Sequence, residues 1–280
     1  MMGKVSRGLA VIKSDIVGWI YKPQIYLAVF AVIWFVHDNF ASLFQYADSI
    51  GCRVNFCLVA HSFTHPYMRI LLFCCIIFLM ADAPFVTELQ LSMMYRAGKG
   101  IWYFSQVIYI MISALLLDVL FFVSPLLFHA DEIVFQKNWG RVIYSILKED
   151  EILHPIADRI VTNYTPLQAL GYYMAILFLL VCFIGLFLYL ANLLRMGALG
   201  VGILFGFIIL DWMIYLVDFT PFLWISPISW IRMDQMAYGL DHSVPSAVYA
   251  VVVLFVMNIL LCLGIYYASK LNDVAISVKE

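Results

Sequence analysis

The sequence predicts an all-α polytopic membrane protein with six transmembrane helices, and three observations carry that prediction. Hydrophobic residues make up 65% of the 280 positions and charged residues 12%, whereas a soluble domain is about a quarter charged. Mean hydropathy is +0.96. The apolar residues also gather into six segments, 23–46, 67–86, 101–128, 167–194, 197–217 and 244–268, each long enough to cross about 30 Å of hydrocarbon as a helix. Residues 1–280 together read as a single transmembrane domain.

Each element has its own justification. Ahead of the first span, Val5, Leu9, Ile12, Ile16 and Ile20 recur at helical spacing, with Lys4, Lys13 and Asp15 off that line; residues 1–22 read as an interfacial amphipathic helix ended by Lys22-Pro23. This N-terminus lacks the uninterrupted apolar run of a cleaved leader and is expected to be retained. Span 67–86 is the shortest in apolar content, because Arg69 lies near one end and Asp82-Ala83-Pro84 near the other. Spans 167–194 and 197–217 meet at Arg195-Met196 and must form a tight hairpin. Segment 218–243 is apolar but broken by Pro221 and Pro227, so it reads as short re-entrant or interfacial helices, with Trp224 and Trp230 suited to the interface. The loop 129–166 reads as solvated, with the acidic run Glu149-Asp150-Glu151 and an amphipathic turn at Val142, Ile143, Ile146 and Leu147.

Orientation follows from Lys and Arg density. With both termini inside, segments 1–22, 87–100, 195–196 and 269–280 hold nine basic residues in 50 positions, against six in 84 for the opposite segments. That bias predicts cytoplasmic N- and C-termini. The net charge of −2 and the scattered basic residues exclude nucleic acid as a partner; membrane lipid is the expected surrounding.

Motifs for chemistry are sparse. Gly98-Lys99 resembles the end of a phosphate-binding loop, but Met93 and Gly100 occupy the places where that loop needs glycine and a hydroxyl. His61 and His65 have metal-ligand spacing with Cys52 and Cys57 close by; plain loop residues are the preferred reading, no metal site is assigned, and a Cys52–Cys57 disulfide stays open. Cys74, Cys75, Cys182 and Cys262 read as intramembrane packing residues. No catalytic residue is assigned. Asp38, Asp118 and Asp211 lie about 22, 26 and 21 Å from the inner ends of their spans, taking straight helices. They form a candidate polar layer lining a substrate path, or else a set of near-interface residues. Ala198, Gly202 and Gly206 recur at four-residue intervals, a helix–helix packing pattern within or between subunits.

The stretch TELQLSMMYRAGKG, 87–100, is a charged island between two spans. From its residues alone it reads as a membrane-surface loop. The whole layout, however, resembles the six-span permease subunits of ABC exporters of the second type. The interfacial helix, the short charged segment between spans two and three, the minimal turn between spans four and five, and the broken segment before span six carry that resemblance. Residues 82–86 through Trp102 are also similar to small Gram-positive bacterial ABC permeases, while the long 129–166 loop departs from the family. The resemblance implies that 87–99 is a coupling helix for an ABC ATPase subunit, with Leu89, Leu91, Met93 and Met94 filling the partner's groove and Glu88, Arg96 and Lys99 at its rim. It further implies transport through a multi-pass protein of the cell membrane and a second permease copy or homologous permease. The chain then has no cofactor and no enzymatic activity of its own, and ATP and Mg sit on the partner. The alternative is an intramembrane enzyme, or a stand-alone immunity or sensor protein, built on the acids and outer histidines.

Overall fold

The computed structural model describes residues 3–85, 88–149, 156–217, 220–239 and 243–271. Helix α1 (Lys4–Gly18) is followed by a 3-10 turn, Trp19–Tyr21, and by α2 (Pro23–Ser49). Then come α3 (Pro66–Met80), α4 (Glu88–Ala97), α5 (Lys99–His129), α6 (Arg141–Glu149) and α7 (Asp158–Asn163). Helices α8 (Pro166–Leu193), α9 (Gly197–Val217) and α10 (Ala247–Leu271) complete the chain. Proline opens α2, α3 and α8, the one helical position where a missing N–H costs nothing. Thr165 and Gln168 add a capping box at the start of α8.

Among the described residues five helices are long and apolar enough to span a membrane: α2, α5, α8, α9 and α10. The chain is an all-α polytopic membrane protein. The segment expected at 67–86 forms the shorter α3, whose 15 residues reach about 22 Å, less than the hydrocarbon thickness. It stops at Met80 because Pro84 cannot extend the hydrogen-bond ladder. Phe85 then turns the chain with a positive φ of 55°.

Helix α8 is the centre of the bundle. Two thirds of its apolar window is buried, against 22–44% for the other four long helices. It packs most extensively on α10 and also contacts α3, α5 and α9. It approaches α5 tightly at Gly185, where an added Cβ would lie 2.6 Å from Ile110 Cγ2. The expected tight hairpin forms, with Arg195 in the left-handed region at φ 59°. Asn192 Nδ2 ties this turn to the end of α3 by donating to Ala81 O and Ala83 O at 2.8 and 2.5 Å. By contrast, Ala198, Gly202 and Gly206 lie on an exposed face of α9, and a Cβ at Gly202 or Gly206 meets nothing within 4 Å. That stripe does no packing within this chain.

The opposite end carries a cap rather than a solvated loop. Val54–Asn55 pairs in parallel with Ile133–Val134, and Asn55 Nδ2 donates to Gln136 O and Asn138 O. The amphipathic turn becomes α6, which buries Val142, Ile143 and Ile146. Of the acidic run beside it, Asp150 and Glu151 lie outside the described residues. The segment before α10, read as short re-entrant or interfacial helices, forms three short 3-10 helices, Thr220–Trp224, Ile228–Ile231 and Met233–Gln235. Pro221 and Pro227 break any longer ladder. Trp230, expected at an interface, is 2% exposed and donates to Leu223 O at 2.6 Å.

The two kinds of glycine separate in a stability measurement. Gly185→Val should cost about 1–3 kcal/mol through overpacking against Ile110, while Gly202→Val should stay within about 0.5 kcal/mol. Thermal unfolding in detergent reads both; equal losses would contradict the packing described.

Candidate functional site

The charged island at 87–100 forms a helix because residues 88–97 are good helix formers without β-branching. Gly98, at φ 93°, breaks it from α5, a backbone conformation that side-chain-bearing residues rarely adopt. Gln90, Met94 and Ala97, spaced i, i+4, i+7, are 3%, 3% and 5% exposed and face α1 and α5. Leu91 and Met93 are half-buried against the core. Ser92, Tyr95, Arg96 and Lys99 form the exposed face, with Tyr95 80% exposed. Met94, expected to fill a partner's groove, is therefore enclosed by its own chain, because the helix satisfies its apolar stripe intramolecularly. The side chains of Glu88 and Leu89 lie outside the described residues.

What holds α4 in place is a polar junction. Asp15, on α1, is 6% exposed; its Oδ1 accepts from Gln90 Nε2 at 2.6 Å and its Oδ2 from Gln106 Nε2 at 2.8 Å. Trp102 Nε1 donates to Gln90 Oε1 at 2.9 Å. Arg7 Nη1 donates to the α4 carbonyl of Ala97 at 3.4 Å, placing a cation at the negative end of that helix. Trp19 Nε1 donates to the Tyr109 hydroxyl. Burial raises the Asp15 carboxyl from 3.8 to about 6, opposed by the Gln106 hydrogen bond and by Lys22. Burial also pulls Lys22 down, countered by Asp15 and Asp82. The sequence sets Asp15 off the apolar line of α1. In the structure Val5, Leu9 and Ile20 are the open residues, at 77%, 60% and 63% exposure, and the Asp15 side faces the bundle.

The three acids of the predicted polar layer separate. Asp38 is exposed on α2, beside a His37 ring stacked on His129 at 5.4 Å. Asp118 is 4% exposed, and its Oδ1 has no hydrogen-bond partner. Asp211 is 1% exposed and accepts from Arg69 Nε at 2.9 Å. Arg69 Nη1 also donates to Phe63 O and Thr64 O at 2.7 and 3.1 Å, so one side chain joins α3, α9 and the turn before α3. A second pair, Arg232 and Asp234 at 3.3 Å, lies within electrostatic reach of Arg69. Arg69 Nη2, Asp211 Oδ1, Arg232 Nε and Nη1, and Asp234 Oδ1 are buried without partners, a set of donors and acceptors that suits bridging water. Arg69, which weakened the second span in the sequence, is thus its polar anchor.

His61, His65, Cys52 and Cys57 do not converge on one site. His61 is fully buried, accepts from Ala157 N at 3.2 Å and packs edge-on against Trp139; burial pushes it down to about 3, so it is neutral. His65 is exposed, and all six cysteines are free, Cys52 and Cys57 included. No group of three or more metal-binding side chains occurs among the described residues.

Two features define the class: a bundle of long apolar helices and buried polar knots at its two ends. This is an integral membrane protein with a short surface helix pinned to one end. Set beside known proteins, the chain matches no family model, and no curated protein or solved structure is significantly similar to it.

The Arg69–Asp211 pair has a specific energetic signature. Arg69→Met or Asp211→Leu alone should cost about 3–5 kcal/mol, because each leaves a buried charge unpaired, whereas the double replacement should recover most of that loss. Unfolding of the four proteins in a double-mutant cycle measures this; additive losses would show that the two charges do not interact.

Proposed function

We propose that the chain is the permease subunit of an ATP-driven exporter of the ABC type, with α4 as the helix that meets a separate ATP-hydrolysing subunit. The observation that supports this reading best is the division of α4. One face, Gln90, Met94 and Ala97, is fastened to the bundle, and the other presents Ser92, Tyr95, Arg96 and Lys99 outward. A loop that served only the positive-inside bias would need no such fastening. A helix that receives force from a partner must be held rigidly on its far side.

In this reading α3 with the following turn completes a sixth crossing, and both termini are cytoplasmic in the cell membrane. ATP and Mg belong to the partner, and this chain performs no hydrolysis. Because α8 fills the middle of the bundle and Asp211 is neutralised by Arg69, the substrate path lies between two permease copies rather than through one. Asp38, on an exposed face, is the one of the three acids placed to line it. The open Ala198, Gly202 and Gly206 face of α9 suits close approach of the second copy.

The contact with the ATPase rests on the exposed face. Large aromatic and arginine side chains dominate protein interfaces, so Tyr95→Asp with Arg96→Glu should reduce co-purification of the P-loop subunit by at least about tenfold, equivalent to roughly 1.4 kcal/mol. Substitution at Met94 should instead destabilise the chain itself. Unchanged co-purification and unchanged transport per ATP in the Tyr95/Arg96 variant would overturn the assignment.

A further inference from the structure

Helix α1 has two unlike faces. Val5, Leu9, Val17 and Ile20 are 77%, 60%, 48% and 63% exposed and are suited only to the apolar side of a membrane interface. The other face holds Val11, Ile12 and Asp15, all 7% exposed or less. Asp15 is the only acid in the helix, and both of its carboxylate oxygens are engaged, one by α4 through Gln90 and one by α5 through Gln106. Gln90, bonded to Asp15 on one side and to Trp102 on the other, closes the same three-helix junction from α4.

We propose that Asp15 is the positioning residue for the exposed face of α4: it fixes α4 against α5, and its protonation state sets how readily α4 lifts away. The consequence for ATPase docking rests on the function proposed above; the positioning itself does not.

The charged and titratable groups around Asp15 are few. Lys22 faces it from the turn after α1, with Asp82 beside Lys22. From α5 the Tyr109 hydroxyl is within electrostatic reach, and α4 offers the uncharged Gln90. Among the described residues Lys22 is the cation that opposes the effect of burial on the carboxylate, and the hydrogen-bonding partners are neutral amides. Gln106 Oε1 is buried without a partner, so rotation of that amide lets it accept from a protonated Asp15. The junction can hold either form.

The direction of the pH effect follows from linkage. The buried carboxyl titrates at about 6 and a solvated one near 3.8. Between those values the closed junction binds the proton more tightly than the open one. Closure is therefore favoured at the acidic end, loses ground as pH rises through this window, and is constant above it.

The test uses the full chain in lipid nanodiscs, with the native cysteines replaced and Ala97, 5% exposed on the inner face of α4, changed to Cys. Maleimide labelling is normalised to the exposed Ser92→Cys, which removes the intrinsic pH dependence of the thiol. Asp15→Leu should raise the ratio at least about tenfold, since both charged hydrogen bonds are lost. At about pH 4.5, where the neutral amide stands in for the protonated carboxyl, Asp15→Asn should stay within about threefold of the parent. In the parent the ratio should rise by about tenfold from about pH 4.5 to pH 7, less than the full displacement allows because water screens part of it. Asp15→Asn should show no such step. A parallel chain retaining only Cys182, buried in α8, reports general unfolding. If Asp15→Leu exposes Cys182 as well, the pH comparison between parent and Asp15→Asn decides. An unchanged ratio in Asp15→Leu with Cys182 protected, or a pH step that persists in Asp15→Asn, overturns the proposal. If α4 lifts but the ATPase subunit still co-purifies fully, the positioning role stands and the coupling role of α4 fails.

Discussion

A helix that is apolar on every side must be enclosed by others or by lipid, and α8 is such a helix. It begins at a capping box and ends in a turn too short to leave the bundle, and α3, α5, α9 and α10 all pack against it. Ile110 reaches it only because residue 185 has no side chain. This arrangement leaves little space for polar groups at mid-bundle. Asp15 and the Arg69–Asp211 pair, buried charged groups that do have partners, sit toward the bundle's ends, where loops and surface helices supply hydrogen bonds.

The two ends solve that problem differently. At the capped end Arg69 and Asp211 neutralise one another, and the guanidinium also binds two carbonyls, so the joint between α3 and α9 is charge-balanced and stiff. At the other end Asp15 is held by amides, with Lys22 opposing the effect of burial on its charge. Its charge is only partly compensated, which is why burial can raise its proton affinity so far. The joint at one end is thus charge-balanced, and the one beside α4 is titratable.

Much of the fold was legible because hydropathy over long segments reports the membrane environment directly. The spans realised as α2, α5, α8, α9 and α10 differ from the sequence reading only by a few terminal residues, and the tight turn at Arg195 followed from the absence of room. The second span was shorter than expected because Pro84 and Phe85 end it, a local backbone effect that average hydropathy does not register. The cap was missed because Val54 pairs with Ile133 across a long stretch of chain, and such pairing leaves no periodic signal. For the site, sequence spacing located α4 but assigned its apolar stripe to a partner. Whether Met94 is covered by its own chain or by another depends on where α1 packs. Asp15, Gln90 and Gln106 are unremarkable singly; only the fold brings them together. The depths of Asp38, Asp118 and Asp211 were comparable, but depth along a helix says nothing about which way a side chain points.

The central claim is that the outward face of α4 meets an ATP-hydrolysing subunit. The most direct measurement places a photoreactive benzophenone amino acid at Tyr95, with a control at Ile209 on the exposed face of α9, in cells that co-express a candidate P-loop ATPase subunit. Illumination should yield an adduct from position 95 whose peptides map to the P-loop subunit, and none from position 209. Adducts of position 95 with lipid alone, or the same protein captured equally from both positions, would contradict the account.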